Sequence, residues 1–163
     1  MPKYVAALIV VEDMARARGF YEGLLGQAVE YDFGENVSFA GGFSLHLRSH
    51  YEGLLGGGRQ ATGGRLHDFE LYFEAAELED LVDRLKAAGV DFVHGLVAQP
   101  WQQRCLRVYD PDGHVVEVGE PMDAVVWRLL GEGLEPAEVS RRCSMPPEFV
   151  EAVIREREAA AGG

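Results

Sequence analysis

Cysteine is scarce. The chain has two in 163 residues, Cys105 and Cys143, far apart and in no CxxC or Cys/His spacing. That excludes a disulfide scaffold and a cysteine-based zinc centre, and it fits a reducing cytosol better than secretion. Long apolar runs are missing too. The stretch from Val5 to Val11 lies between Lys3 and Glu12, too short to cross a bilayer and without the form of a signal peptide, so a cytoplasmic protein off the membrane is expected. Basic residues number 15 against 27 acidic ones, a formal charge of −12. Such a surface repels phosphate, and neither nucleic acid nor anionic lipid is an expected partner.

What is present is enough apolar material, 47% of residues, for the core of one ordinary domain. Its pattern repeats. A strand-like run at 5–11 leads to Glu12-Asp13, an acidic helix start, after which Met14, Ala17, Tyr21, Leu24 and Leu25 recur at helical spacing until Gly26. Strand-like segments follow at 27–33, 36–40 and 43–48. The second pass runs from Phe69 to Glu74, then Leu78, Leu81, Val82 and Leu85 on one helical face up to Gly89, then strands at 91–97, 104–109 and 114–119. Each pass reads β-α-β-β-β. Between them GLLGGGRQATGG, residues 53–64, has the composition of a flexible linker.

The copies can be laid on one another. Gly42 and Gly113 each precede a final strand, so His46 matches Glu117; Ala6 and Glu70 each lie eight residues before the first apolar residue of a helix. Strand parity then sets direction. Phe43, Leu45 and Leu47, like Phe69, Leu71 and Phe73, form faces expected to pack on helices, while His46, Glu70 and Glu117 fall on the opposite parity beside Ser44, Arg48, Asp68 and Tyr72. Glu117 poses a physical question. It stands among Val115, Val116 and Val118 in a run that reads as a buried strand, and an uncompensated carboxylate there costs several kcal/mol.

The segments VVEDMARARGFYEGLLG, FELYFEAAELEDLVDRLKAAGV and YDPDGHVVEVGE, with the paired modules, resemble the vicinal oxygen chelate superfamily, the glyoxalase, bleomycin-resistance and extradiol dioxygenase group. The resemblance covers roughly residues 3–120. It implies an α+β fold in which two βαβββ modules, here 3–50 and 66–120, form a curved, U-shaped mixed sheet. It also implies a divalent metal on ligands from the first and last strands of each module. Carried over by position, these are Ala6, which has no donor, and His46, Glu70 and Glu117. One imidazole and two carboxylates suit Zn, Mn, Fe, Co or Ni without choosing among them. The family's usual pattern has histidine where Glu70 stands and often where Ala6 stands. A metal-free alternative is that Arg48 or Arg104 neutralises Glu70 or Glu117 as a charge-assisted pair.

In QPWQQR, residues 99–104, Trp101 suits a pocket wall or a cap on the edge of the core, with Gln102, Gln103 and Arg104 placed to bind substrate oxygens. Tyr72, two residues from Glu70, is a hydrogen-bond or proton donor, or a lining residue. His50, His67, His94 and His114 show no ligand-like parity or partner. DPDG at 110–113 is turn chemistry.

The expected domain ends at residue 120. From Pro121 to 163 the pattern is helical, with Pro136, Pro146 and Pro147 at helix starts and Gly131 and Gly133 at a stop. The spacing suggests a helix-turn-helix, but its last helix carries Glu148, Glu151, Glu156 and Glu158 beside Arg155 and Arg157, so packing, dimerisation or a pocket lid is expected rather than DNA binding.

The resemblance implies a metal-dependent lyase or isomerase acting on a small substrate with vicinal oxygens, with Glu70 or Glu117 as general base. The rival is a metal-free protein that binds an antibiotic or aromatic metabolite. A ligand-sensing regulator is the third reading. A homodimer is expected.

Overall fold

The computed structural model describes residues 6–54 and 66–161, the side chains of 54, 66–68 and 161 excepted. The 53–64 linker lies largely outside the described residues, as do the side chains of His67 and Asp68. The repeated order is present: β1 (Ala7–Val11), α1 (Met14–Arg18) running on into a π-helical turn (Gly19–Leu24), β2 (Val29–Asp32), β3 (Asn36–Phe39) and β4 (Phe43–Leu47); then β5 (Leu66–Glu74), α3 (Leu78–Ala87), β6 (Phe92–Ala98), β7 (Arg104–Tyr109) and β8 (His114–Gly119). A helix that the strand reading missed, α2 (Arg48–Leu54), follows β4. Each module forms a four-stranded sheet, ordered β1-β4-β3-β2 and β5-β8-β7-β6. The chain divides into two compact units, Met1–Phe69 with Tyr109–Val115, and Glu70–Val108 with Val116–Gly163.

In the first unit β1 runs parallel to β4, as the intervening helix requires, and β2, β3 and β4 form an antiparallel meander. Asp13 caps α1, its Oδ1 accepting from Arg16 N at 3.0 Å. The helix then widens, Leu25 N donating five residues back to Phe20 O. Phe20 and Tyr21, adjacent in sequence, are both buried in this wide turn and meet edge to face at 5.0 Å. Ile9, Val11, Val37, Phe39, Phe43 and Leu45 complete the core. Strand β4 lies between β1 and β3 and is covered on both faces, Ser44 and His46 being buried along with Phe43 and Leu45.

In the second unit Leu78, Leu81, Val82 and Leu85 are all buried, the helical face read from spacing. Leu106, Val108, Val116 and Val118 pair with it as sheet core. The expectation for β5 holds less well: Phe69 is 47% exposed, whereas Leu71 and Phe73, on the same parity, are half-buried. Beyond β8 come α4 (Met122–Gly131), α5 (Pro136–Cys143) and α6 (Pro147–Ala161), with a core of their own built on Val125, Val126, Leu129, Val139, Cys143, Val150 and Val153. Ser144 adopts φ 57° between α5 and α6, a left-handed cap.

The DPDG turn is more than a connection. Asp110 Oδ1 accepts from Asp112 N at 2.9 Å and His114 N at 2.8 Å, while its Oδ2 accepts from Tyr21 OH at 2.9 Å and stands 2.8 Å from His114 Nδ1. Gly113, at φ 90°, lets the turn close. His114, read as partnerless, is thus an ion-pair partner of a buried aspartate. Its hydrogen bond to Asp110 raises its pKa, outweighing burial, which lowers it. A histidine whose folded pKa is raised contributes stability that is full below about pH 6.5, the unfolded value, and is lost as pH climbs through the folded value. His114→Gln is expected to lower Tm at pH 6 by more than at pH 9. A difference from wild type that is the same at both would show that the Asp110 bond does not depend on the proton.

Candidate functional site

The answer to the Glu117 question is Arg107. The β7–β8 hairpin closes with Asp110 N donating to His114 O at 2.9 Å, and farther along Glu120 N donates to Arg104 O at 2.8 Å. This register sets Arg107 opposite Glu117 and Arg104 opposite Glu120. Arg107 Nη2 bonds Glu117, and its Nε donates to Glu70 Oε2 at 2.9 Å. One guanidinium therefore serves both carboxylates, giving each a charge-assisted hydrogen bond from a different nitrogen. The carboxylates differ: the Glu117 side chain is 6% exposed and that of Glu70 42%. Burial raises the Glu117 pKa, Arg107 opposes the shift, and Glu70 adds to it. His94, also read as partnerless, has Nε2 3.2 Å from Arg107 Nη1 and Nδ1 2.8 Å from Gly95 O. A carbonyl only accepts and a guanidinium only donates, so Nδ1–H donates to Gly95 O and Nε2 accepts from Arg107.

Beside this centre lies a second network in the same unit. Gln103 is buried and every polar atom of its amide is used. Its Oε1 accepts from Trp101 Nε1 at 2.9 Å, and its Nε2 donates to Tyr72 OH and to Glu120 O, each at 2.8 Å. Tyr72 OH donates in turn to Glu74 Oε1 at 2.8 Å. Burial and the Glu74 bond push the Tyr72 pKa up to about 12, so the phenol keeps its proton at neutral pH. Gly119 leaves room for this: a Cβ there would stand 2.8 Å from Gln103 Nε2. Trp101 and Tyr72 are about a third and a half exposed, so the network ends in two open aromatic surfaces.

The other expected residues lie elsewhere. Arg104 pairs with Glu120 at 3.4 Å and Glu79 at 2.6 Å, not with Glu70 or Glu117. Strand β4 ends at Leu47, so Arg48 opens α2 and bonds Glu12. Neither of the arginines expected to neutralise a central carboxylate does so, because the hairpin register assigns that place to Arg107. His46, in the first unit, has Nδ1 3.3 Å from Asn36 Nδ2 and Nε2 2.7 Å from His50 Nδ1. His50 is therefore not partnerless. Burial and the neighbouring His50 hold the His46 pKa below the usual range. The residue opposite His46 on β1 is Val10, which has no donor.

A divalent cation needs several donor lone pairs converging on one point. Within either unit, among the described residues, no group of three or more His, Cys, Asp or Glu side chains offers this. Glu70 and Glu117 direct oxygens at a guanidinium, and both His46 nitrogens have neighbours in hydrogen-bonding range. Within each unit, then, the donors do not converge into a metal site, and no chemical step is routed through a metal.

Arg107 is the residue that sequence reasoning missed. Its signal was present. Arg104 and Arg107 are three apart and so lie on opposite faces of one strand, and counting outward from the DPDG turn pairs only Arg107 with Glu117.

The chain belongs to the glyoxalase-like domain family, whose model matches residues 4–123. Three solved structures illustrate the likeness. A protein of unknown function from Agrobacterium tumefaciens str. C58 is 38% identical, with 74% of this chain and 95% of that one covered at a TM-score of 0.66. A lactoylglutathione lyase from Agrobacterium tumefaciens is 22% identical, over 71% and 91%, at 0.54. A fosfomycin resistance protein from Mesorhizobium loti is 16% identical, over 79% and 98%, at 0.55; these last two show the fold alone. No curated protein matches the chain. No described helix is long and apolar enough to cross a membrane.

Breaking a buried pair by removing one partner strands the other charge. Arg107→Ala is expected to destabilise the fold by roughly 2–3 kcal/mol in urea unfolding, and Glu70→Gln, at an exposed carboxylate, by under about 1 kcal/mol. The double variant Arg107→Leu/Glu117→Leu should recover much of the loss. Equal costs for Arg107→Ala and Glu70→Gln would contradict the asymmetry drawn here.

Proposed function

We propose that this glyoxalase-like protein binds a small aromatic ligand bearing a cationic or hydrogen-bond-donating group, without a divalent metal, in the manner of the bleomycin-resistance branch of its superfamily. The observation that supports this reading most is the single guanidinium bonded to both carboxylates that a metal would otherwise use. Two carboxylates and one guanidinium leave a net negative charge, with Glu70 the more open of the two. A positive or donating group of the ligand meets Glu70, while its ring lies on Trp101 or Tyr72, whose polar ends are already tied down by Gln103 and Glu74. Fixing those side chains beforehand lowers the ordering cost of binding.

The metal-dependent lyase is the competing outcome, and chelation separates the two. Protein stripped of metal with EDTA is expected to bind at least one member of a panel of cationic aromatic compounds that includes bleomycin, read by tryptophan quenching. Glu70→Gln should weaken that binding about tenfold, on the order of 1.4 kcal/mol. If binding requires added Zn²⁺, Mn²⁺ or Ni²⁺, or if the metal-loaded protein turns over the hemithioacetal of glutathione and methylglyoxal, the lyase reading replaces this one.

A further inference from the structure

We infer that Arg128, in the helical extension beyond the family match, is a positioning residue that holds the 99–104 loop and its Trp101 in the form the proposed ligand site uses. The inference rests on that reading for its purpose, though not for its geometry.

The loop has a reason to need holding. Gln102 has φ 68°, one of two positive values at non-glycine residues among those described, and a glutamine there is held against its own preference. Two backbone bonds, Gln102 N to Gln99 O and Gln99 N to Gln103 O, each 2.8 Å, close the loop on itself but leave the Gln102 carbonyl to be satisfied from outside. Arg128 Nη2 supplies the donor at 2.6 Å. The same guanidinium grips Glu120, Nη2 to Oε2 at 3.0 Å and Nε to Oε1 at 3.3 Å.

Glu120 makes the grip firm. Its side chain is 5% exposed. Burial alone would raise its pKa, but hydrogen bonds from Arg128 and Arg104 outweigh that and hold it below the usual carboxylate range. Its backbone carbonyl accepts from Gln103 Nε2, and Gln103 Oε1 accepts from Trp101. A continuous path of hydrogen bonds therefore runs from α4 through Glu120 and Gln103 to the indole. The helices beyond β8 have their own core and so supply Arg128 from a folded support. This assigns the extension a task within its own unit, where the sequence reading left packing, dimerisation and a lid as open choices.

Trp101 and Trp127 are the only tryptophans, so a Trp127→Phe background makes Trp101 the sole indole reporter. In that background Arg128→Ala is expected to raise acrylamide quenching of Trp101 at least about twofold, measured well below the thermal transition, and Arg128→Lys to restore part of the protection. Val125→Ala supplies the control. It cuts into the same helical core without touching the loop, and should lower Tm by as much or more while leaving Trp101 quenching unchanged. Unchanged quenching in Arg128→Ala would overturn the inference, as would an equal rise in Val125→Ala. None of these readings uses a ligand. Failure of every compound to bind would therefore count against the proposed function and leave the role of Arg128 standing.

Discussion

The bond between Arg107 and Glu117 is the constraint on which the second unit turns. An ionised carboxylate inside a valine-rich strand cannot persist without a counter-charge, and the hairpin register sets an arginine across from it. Because the guanidinium carries more than one N–H donor, its Nε also binds Glu70 from β5, which lies next to β8 in the sheet. Three strands are thereby tied at one charged point, and the identity of that point, organic cation or metal ion, decides which kind of glyoxalase-like protein this is.

The register originates in the DPDG turn. Asp110 accepts four hydrogen bonds, two from the turn backbone, one from Tyr21 and one from His114, so the turn is tied to the π-helical stretch of the first module while it fixes the pairing of β7 with β8. A residue slipped in this turn would put Arg107 on the wrong side of the strand from Glu117 and leave the carboxylate buried alone. Farther along the hairpin the same register presents Arg104 to Glu120, and Glu120 is where α4 takes hold.

Much of this was legible beforehand. The duplicated β-α-β-β-β order, the buried face of α3 and the helical tail all follow from periodicity and from glycine and proline punctuation, which are local signals. Parity puts His46, Glu70 and Glu117 on the face away from the helices, beside Tyr72, and within the second unit Glu70 and Glu117 share one guanidinium. What failed depended on where elements end or what lies across from them. Arg48 reads as a strand residue because nothing local marks the start of α2, and Phe69 reads as core because it shares parity with Leu71 and Phe73, a local signal that does not say what covers each position. His50, His94 and His114 have partners that only the folded chain brings near. Arg107 is the instructive miss, since turn chemistry and hairpin counting together would have paired it with Glu117.

The most direct test of the central claim is anomalous diffraction from crystals soaked in millimolar Mn²⁺ or Zn²⁺. Arg107 as the resident cation requires that its guanidinium stay bonded to Glu70 and Glu117, with no anomalous peak at either carboxylate. A strong peak between them, with the Arg107 side chain displaced, would contradict it.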